Sequence, residues 1–491
     1  MDRKARVLVI AIVVSFIAFL DGAVINIALP SIEAELGGGL ALQQWAVDAY
    51  LLTLGSLILL AGSLSDSFGR LRVIRIGLYG FGVTSLICAL APSGLVLVLG
   101  RALQGGAGAL LVPSSLALII ATFPKAEQGR AIGRWTAWTT LAFLVGPLLG
   151  GALVDLVSWR LVFWINVVPI AIALVLLRRL GRDAPNPDHE RIDWTGAILG
   201  IVGLGGTVFA LIEQGRLGIA SPLVWIPLVV GLCALVAFVL WERRAPHPML
   251  PLSLFAARNF AAGNLATLFI YAAFSLGLFA LPIFLQETGG FPATLAGLAT
   301  LPPTVMIVLL GSRFGALAGR FGPRIFMTAG PIVVAGGFLL TLGVGADVNY
   351  WTELLPGVAV VGLGMAMTVA PLTAAILGAV DPARAGIGSA VNNAVARIAG
   401  LVSIAAIGVI VGESLDVVGY HRAAVATAAL LVVGGVVSWI GIRNPAPTAD
   451  AVPDATEESP TVAPQPGAAA ERPATPEATE RASAPPVDDA R

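Results

Sequence analysis

Charge is what this chain has least of. Only 12% of its 491 residues are Asp, Glu, Lys or Arg, about half of the roughly 25% usual in soluble domains. The 29 basic and 29 acidic side chains cancel, so no basic surface is offered to nucleic acid. Lysine is nearly missing. Lys4 and Lys125 are the two present, and neither follows a Gly-x-x-x-x-Gly stretch, so a phosphate-cradling loop is absent and ATP is not expected as a partner. The two cysteines, Cys88 and Cys233, sit inside apolar runs and offer no disulfide framework. His189, His247 and His421 all fall between such runs, which excludes an imidazole relay within a membrane. Neither His-Glu-x-x-His nor Gly-x-Ser-x-Gly occurs; no catalytic residue, metal ligand or cofactor is expected, and the chain does not read as an enzyme.

What is present is apolar. Hydrophobic residues make up 57% of the chain, with 57 glycines and 32 prolines. A membrane-spanning helix needs about 20 mostly apolar residues. Runs of that kind fall at 7–29, 45–64, 73–91, 95–121, 130–154, 161–180 and 194–212, and again at 222–241, 260–284, 293–312, 325–346, 354–379, 385–411 and 422–442. The first is too long for a signal peptide, has no cleavage site after it, and ends at Leu29-Pro30; it reads as a retained helix. These fourteen spans predict an all-α polytopic protein embedded in a lipid bilayer. With this count, 21 Arg and Lys fall on the side of the termini and three (Arg160, Arg216 and Arg422) on the other. The positive-inside rule then places both termini in the cytoplasm, in a cell or inner membrane. Trp45, Trp159, Trp194, Trp225, Trp241 and Trp351 lie near span ends, as interfacial anchors do.

The chain carries a repeat. Gly62-Ser-Leu64-Ser-Asp66-Ser-Phe68-Gly69 follows the second span, and Gly315-Ala-Leu317-Ala-Gly319-Arg320-Phe321-Gly322 follows the tenth. Six spans precede residue 181 and six follow residue 259, leaving two between them. The predicted organisation is a six-helix bundle over 1–180, an inserted helix pair with linkers over 181–259, and a second six-helix bundle over 260–442. Tandem bundles of this kind build one large class of secondary transporters. Residues 443–491, rich in Pro, Ala, Glu and Ser, cannot offset their ordering entropy by burial and are expected to form a disordered cytoplasmic tail.

Several motifs carry a family resemblance. Gly62-x-Leu64-x-Asp66-x-x-Gly69-Arg70-x-Arg72 resembles the cytoplasmic loop signature of the major facilitator superfamily. Asp21 to Pro30, Arg101-Ala-Leu-Gln104-Gly105, Gly146-Pro147-x-x-Gly150-Gly151, and Trp159-Arg160 with Phe163-Trp164-Ile165-Asn166 are similar to successive motifs of its 14-helix drug:proton antiporter branch, the EmrB/QacA type. The resemblance implies a monomeric exporter of small hydrophobic or cationic molecules, multidrug or antibiotic efflux, driven by the proton gradient without a cofactor. Export of a native metabolite is the alternative. It also implies that Gly146, Pro147, Gly150 and Gly151 pack helices against proton leakage, and that Asp66 with its neighbours gates the cytoplasmic mouth. One departure is Ser67, where the branch usually has Arg or Lys; another is Gly319, where the second loop has no acid.

A charge in the bilayer interior costs at least about 2.5–3.5 kcal/mol, so each one asks for a reason. At ~1.5 Å per residue, Asp21 lies about 12 Å and Arg101 about 9 Å below the outer end of its helix. Opposite charges at similar depth suit either proton coupling or a fixed packing pair. Asn26, Asp48, Gln104, Asn393 and Arg397 are the further candidates for a substrate cavity. Asp48 is expected at the start of its helix, capping it or serving a proton; Glu213 and Glu287 are expected in solvent. Arg397, about 18–20 Å into its helix, must face the bundle interior, bonding carbonyls or an anionic group.

Overall fold

A computed structural model describes residues 2–180, 193–246, 248–381, 384–412 and 414–444, without the side chains of Asp66, Ala126 and Ala385. The expected tail, from Pro445 onward, and His189 and His247 lie outside the described residues. Among the described residues the regular elements are helical, and fourteen segments are long and apolar enough to cross a membrane, the number read from the sequence.

The first three are α1 (Arg3–Leu36), α2 (Gly39–Phe68) and α3 (Arg70–Ala89). The fourth consists of α4 (Gly94–Ala109) and α5 (Val112–Thr122), the fifth is α6 (Lys125–Leu156), and the sixth joins α7 (Leu161–Trp164) to α8 (Val167–Arg178). The next pair is α9 (Trp194–Leu217) and α10 (Pro222–Glu242). Then come α11 (Arg258–Glu287), α12 (Ala293–Ala299) with α13 (Leu301–Phe321), and α14 (Pro323–Leu340). The last three spans are α15 (Leu355–Leu377), α16 (Ala385–Ala405) with α17 (Ile407–Val411), and α18 (Val417–Gly441). The even number of spans puts Arg3 and Asn444 on one face, the terminal face. Leu223, Val236 and Leu240 of α10 are all more than 45% exposed, an outward apolar surface suited to lipid rather than water.

Several helix ends differ from expectation. α1 does not stop at Pro30 but runs through it to Leu36. Pro30 deprives only the Asn26 carbonyl of its helical donor, a loss spanning helices tolerate. The chain is turned instead by Gly37, Gly38 and Gly39, at φ of 69°, 99° and 57°, left-handed backbone that suits glycine. The added turns carry Glu35, which accepts from Trp159 Nε1 and Arg160 Nη1, both at 2.6 Å. Trp159 is therefore a buried, hydrogen-bonded residue and not an interfacial anchor. The fourth span breaks after Ala109 because Pro113, four residues on, has no N–H for that carbonyl.

The repeat is visible in the backbone. Gly69 links α2 to α3 at φ 90°, ψ 133°, and Gly322 links α13 to α14 at φ 85°, ψ 151°. Within residues 2–180, α1 packs on α6 and α4 on α2 and α3; within 258–444, α15 packs on α13 and α14, and α11 on α16 and α18. α9 pairs with α10 and also touches α2 and α16. The first and last groups meet along α2–α16, α6–α12 and α1–α11.

Candidate functional site

The glycine motif of α6 lies at close helix contacts. A Cβ added at Gly146 would stand 2.6 Å from that of Ala23 in α1, and one at Gly150 3.0 Å from Val24 Cγ1. At Gly151 it would stand 2.5 Å from Thr294 Cα in α12. α6 is thus pressed on one side against α1 and on the other against α12, with Pro147 between the contacts.

Asp21 and Arg101, separated by 80 positions, form a pair: Arg101 Nη1 lies 2.5 Å from Asp21 Oδ2, with both residues at most 3% exposed. Asp21 Oδ1 accepts from Gln104 Nε2 at 3.0 Å and from Asn166 Nδ2 at 2.9 Å. Arg101 Nε donates to the Ala46 carbonyl at 2.8 Å, and Nη1 also reaches Gln104 Oε1 at 2.7 Å. Ser85 Oγ closes the ring of contacts, 2.9 Å from Gln104 Nε2. The guanidinium lies 4.4 Å above the Tyr50 ring, a favourable placement for a desolvated cation. Two charges and three neutral polar side chains therefore bond one another in a buried cluster, with Arg101 Nη2 and Asn166 Oδ1 left without partners among the described residues. Such a pair is costly to build and costlier to halve.

Beside the cluster, between the first and last helix groups, lies a cavity of about 130 Å³. Phe19, Asn26, Tyr50 and Arg101 line it from the first group, Ser275 and Arg397 from the last. Phe19 and Phe143 pack with ring centroids 5.5 Å apart, and the Arg397 guanidinium lies 5.8 Å from the Phe19 ring. Arg101 Nη2 and Asn26 Oδ1 are buried without a hydrogen-bond partner among the described residues.

Of the five cavity candidates, Asn26 and Arg397 line the cavity and the other three do not. Gln104 stands behind Arg101. Asn393 is not at the cavity wall, and its neighbour Asn392 bonds Asn264 and Thr267 of α11 at 3.2 and 2.9 Å. Asp48 is not at a helix start, because α2 begins at Gly39; it is fully buried, and neither carboxylate oxygen has a hydrogen-bond partner among the described residues. Glu213 and Glu287 are engaged rather than free: Glu213 accepts from Trp45 Nε1 at 3.0 Å and Arg216 at 2.9 Å, and Glu287 from Gln43 Nε2 at 2.5 Å. In the loop signature, Gly62 has open space about it, Arg72 is exposed, Arg70 is half-buried and begins α3 with Gly69 before it, and the side chain of Asp66 lies outside the described residues. Asn166 belonged to a motif but not to the expected site; Ser85 and Tyr50 had no signal beyond being polar within an apolar run.

Hydrogen bonds also join the two groups at the face opposite the termini. Besides Gln43–Glu287, Gln44 Nε2 donates to the carbonyls of Ile404 and Ala405, both at 2.9 Å, and Gln286 Nε2 to that of Ile27 at 3.1 Å. Asp155 at the end of α6 accepts from the amides of Ala293 and Thr294, at 3.0 and 2.8 Å. It caps α12 across the boundary between the groups.

The profile of the Major Facilitator Superfamily matches residues 11–404 and again 263–483. The chain is 34% identical over 408 residues to the methylenomycin A resistance protein of Bacillus subtilis, covering 82% of this chain and 87% of that one. It is 36% identical over 406 residues to the puromycin resistance protein of Streptomyces alboniger, covering 81% and 80%. Against the probable actinorhodin transporter of Streptomyces coelicolor it is 34% identical over 403 residues, covering 79% and 69%. In fold it resembles a peptide transporter POT bound to sulfate, with a TM-score of 0.66 at 16% identity, covering 88% of this chain and 93% of that one. An inward-facing bacterial homologue of the human lysosomal transporter Spinster also gives 0.66, at 15% identity, covering 91% and 100%.

Proposed function

This chain belongs to the major facilitator superfamily, and on that footing we propose that it is a proton-coupled secondary transporter exporting small hydrophobic or cationic antibiotic-like compounds. The observation that carries the reading is Asp21, the acid of a fully buried pair placed one side chain away from a cavity between the helix groups. If the pair opens when the helix groups move, the site exchanges a proton with a change of shape, which is what coupling requires. Residues 1–180 and 260–442 would rock as two bundles about the cavity, with α9 and α10 riding beside α2 and α16. The cross-group bonds opposite the termini and the 21-to-3 split of basic residues support a state closed to the outside, in a cell membrane with both termini in the cytoplasm. The working unit would be a monomer powered by the proton gradient, with neither ATP nor a cofactor. The likeness to a probable actinorhodin transporter favours, as a second reading, a dedicated exporter of a native metabolite.

The test is efflux from a pump-deficient host expressing the chain, read as growth in a panel of antibiotics. Resistance should disappear with a protonophore and persist under ATP depletion if the gradient is kept. Export sustained in the presence of the protonophore refutes the proposal.

A further inference from the structure

The cavity has a charge that nothing balances. Arg397 lies twelve residues into α16, about 18 Å from its start, at the depth where a guanidinium is costly. Among the described residues no carboxylate pairs with it and no hydrogen bond is made to it; around it stand the Phe19 ring at 5.8 Å, near the outer limit for cation–π attraction, and the neutral phenols Tyr50 and Tyr271. The other guanidinium on the wall, Arg101, is neutralised by Asp21. No Asp or Glu lines the cavity, and Asp21 faces Arg101 from behind. The lining therefore has one uncompensated positive charge, next to an apolar wall with the Phe19–Phe143 pair and an idle acceptor at Asn26 Oδ1.

Taking the transport reading as its basis, we propose that Arg397 is the anchor for an acidic substrate: a small, largely aromatic or aliphatic compound whose carboxylate, or an equally acidic enol or phenol, pairs with this guanidinium. Such a guest pairs its anion with Arg397 and can turn an N–H or O–H toward Asn26, one of two buried polar groups beside the cavity, with Arg101 Nη2, that lack a partner among the described residues. A cation would add repulsion in a low-dielectric space, and a neutral guest would leave the arginine unpaired. The cavity, at about 130 Å³, is below the roughly 300–1,000 Å³ of a drug-sized site, so in this closed form it holds the acidic end and the adjoining ring. This keeps the hydrophobic part of the proposed substrate range, narrows it to compounds that carry an acid, and sets the cationic part aside.

The test uses the full chain purified in detergent micelles and two probes of nearly the same shape, the anionic 2-naphthoate and the neutral 2-naphthamide, with binding followed calorimetrically at neutral pH. The wild type should bind the carboxylate about tenfold or more tightly than the amide, the low end for a desolvated charge-assisted pair. Arg397→Gln should bring the carboxylate down to the amide while leaving the amide within about twofold, and Arg397→Lys should recover part of the preference. Equal affinities in the wild type, no carboxylate binding, a preference surviving Arg397→Gln, or full displacement of naphthoate by chloride each overturns the proposal. If Arg397→Gln does not fold, the wild-type probe pair and Arg397→Lys still decide. Binding in micelles needs no gradient. An intact preference with failed export refutes the efflux reading alone, and proton-driven export with no preference refutes this one alone.

Discussion

Replacing Asp21 and Arg101 singly and together separates a structural pair from a working one. Asp21→Asn leaves Arg101 charged, with the Ala46 carbonyl, Gln104 Oε1 and the Tyr50 ring as its remaining company. A guanidinium cannot shed its proton, so the charge stays buried, and we expect a loss of about 3–5 kcal/mol. Arg101→Gln leaves a carboxylate that still has donors in Gln104 and Asn166 and that can be neutralised by a proton. It should therefore be the milder single change. The double variant leaves no buried charge at all. Its cost should fall short of the sum of the singles by about 2–3 kcal/mol, the upper range for directly contacting residues. Folded yield and thermal stability in detergent give the first readout, and uphill accumulation in inverted vesicles the second. We expect the double variant to reach the membrane in normal amounts and to accumulate nothing against a gradient. Additive losses would refute the buried pair. Recovered uphill transport would assign the pair to architecture and move the search for the proton site to Asp48 or Glu287.

Asp155→Ala removes the cap that α6 places on α12; at about 0.5–2 kcal/mol for a cap, opening of the outer face should rise roughly two- to thirtyfold, read as labelling of Asn26→Cys by an impermeant maleimide in cells. Unchanged labelling would show that Asp155 does not hold the face shut. Gly151→Val places atoms where Thr294 Cα stands and should raise the same labelling while lowering resistance. Normal resistance with low labelling would refute the close approach of α6 and α12. Truncation after Asn444, the end of the compact unit, should leave transport within about twofold, since polar tails bury little; loss of protein from the membrane would show that the removed segment supports the fold.

The spans were legible because twenty apolar residues have few other uses, and the Asp21–Arg101 pair because depth along a helix is simple arithmetic. The neutral members of the cluster were not: a serine such as Ser85 in an apolar run satisfies itself equally well on the preceding turn, and only packing of α3 against α4 turns it to Gln104. Asp48 was misplaced because an apolar run marks where lipid begins, whereas the helix begins at the glycine triplet, nine residues earlier. Glu35 lay hidden behind Pro30, which reads as a stop in water and is no stop here. The cavity itself has no sequence signature, since Phe19 and Arg397 meet only through the contact of helices 378 positions apart.

Arg101 has two faces. One nitrogen holds Asp21, the other has no partner among the described residues, and the side chain as a whole borders the cavity. A single rigid guanidinium is thus a shared member of two equilibria, and thermodynamic reciprocity follows. By whatever factor an occupant of the cavity alters proton binding at Asp21, proton occupancy must alter the occupant's affinity by the same factor. On the proton-coupled reading, the coupling between the two ligands is then carried within one side chain, without a relay through the length of the protein.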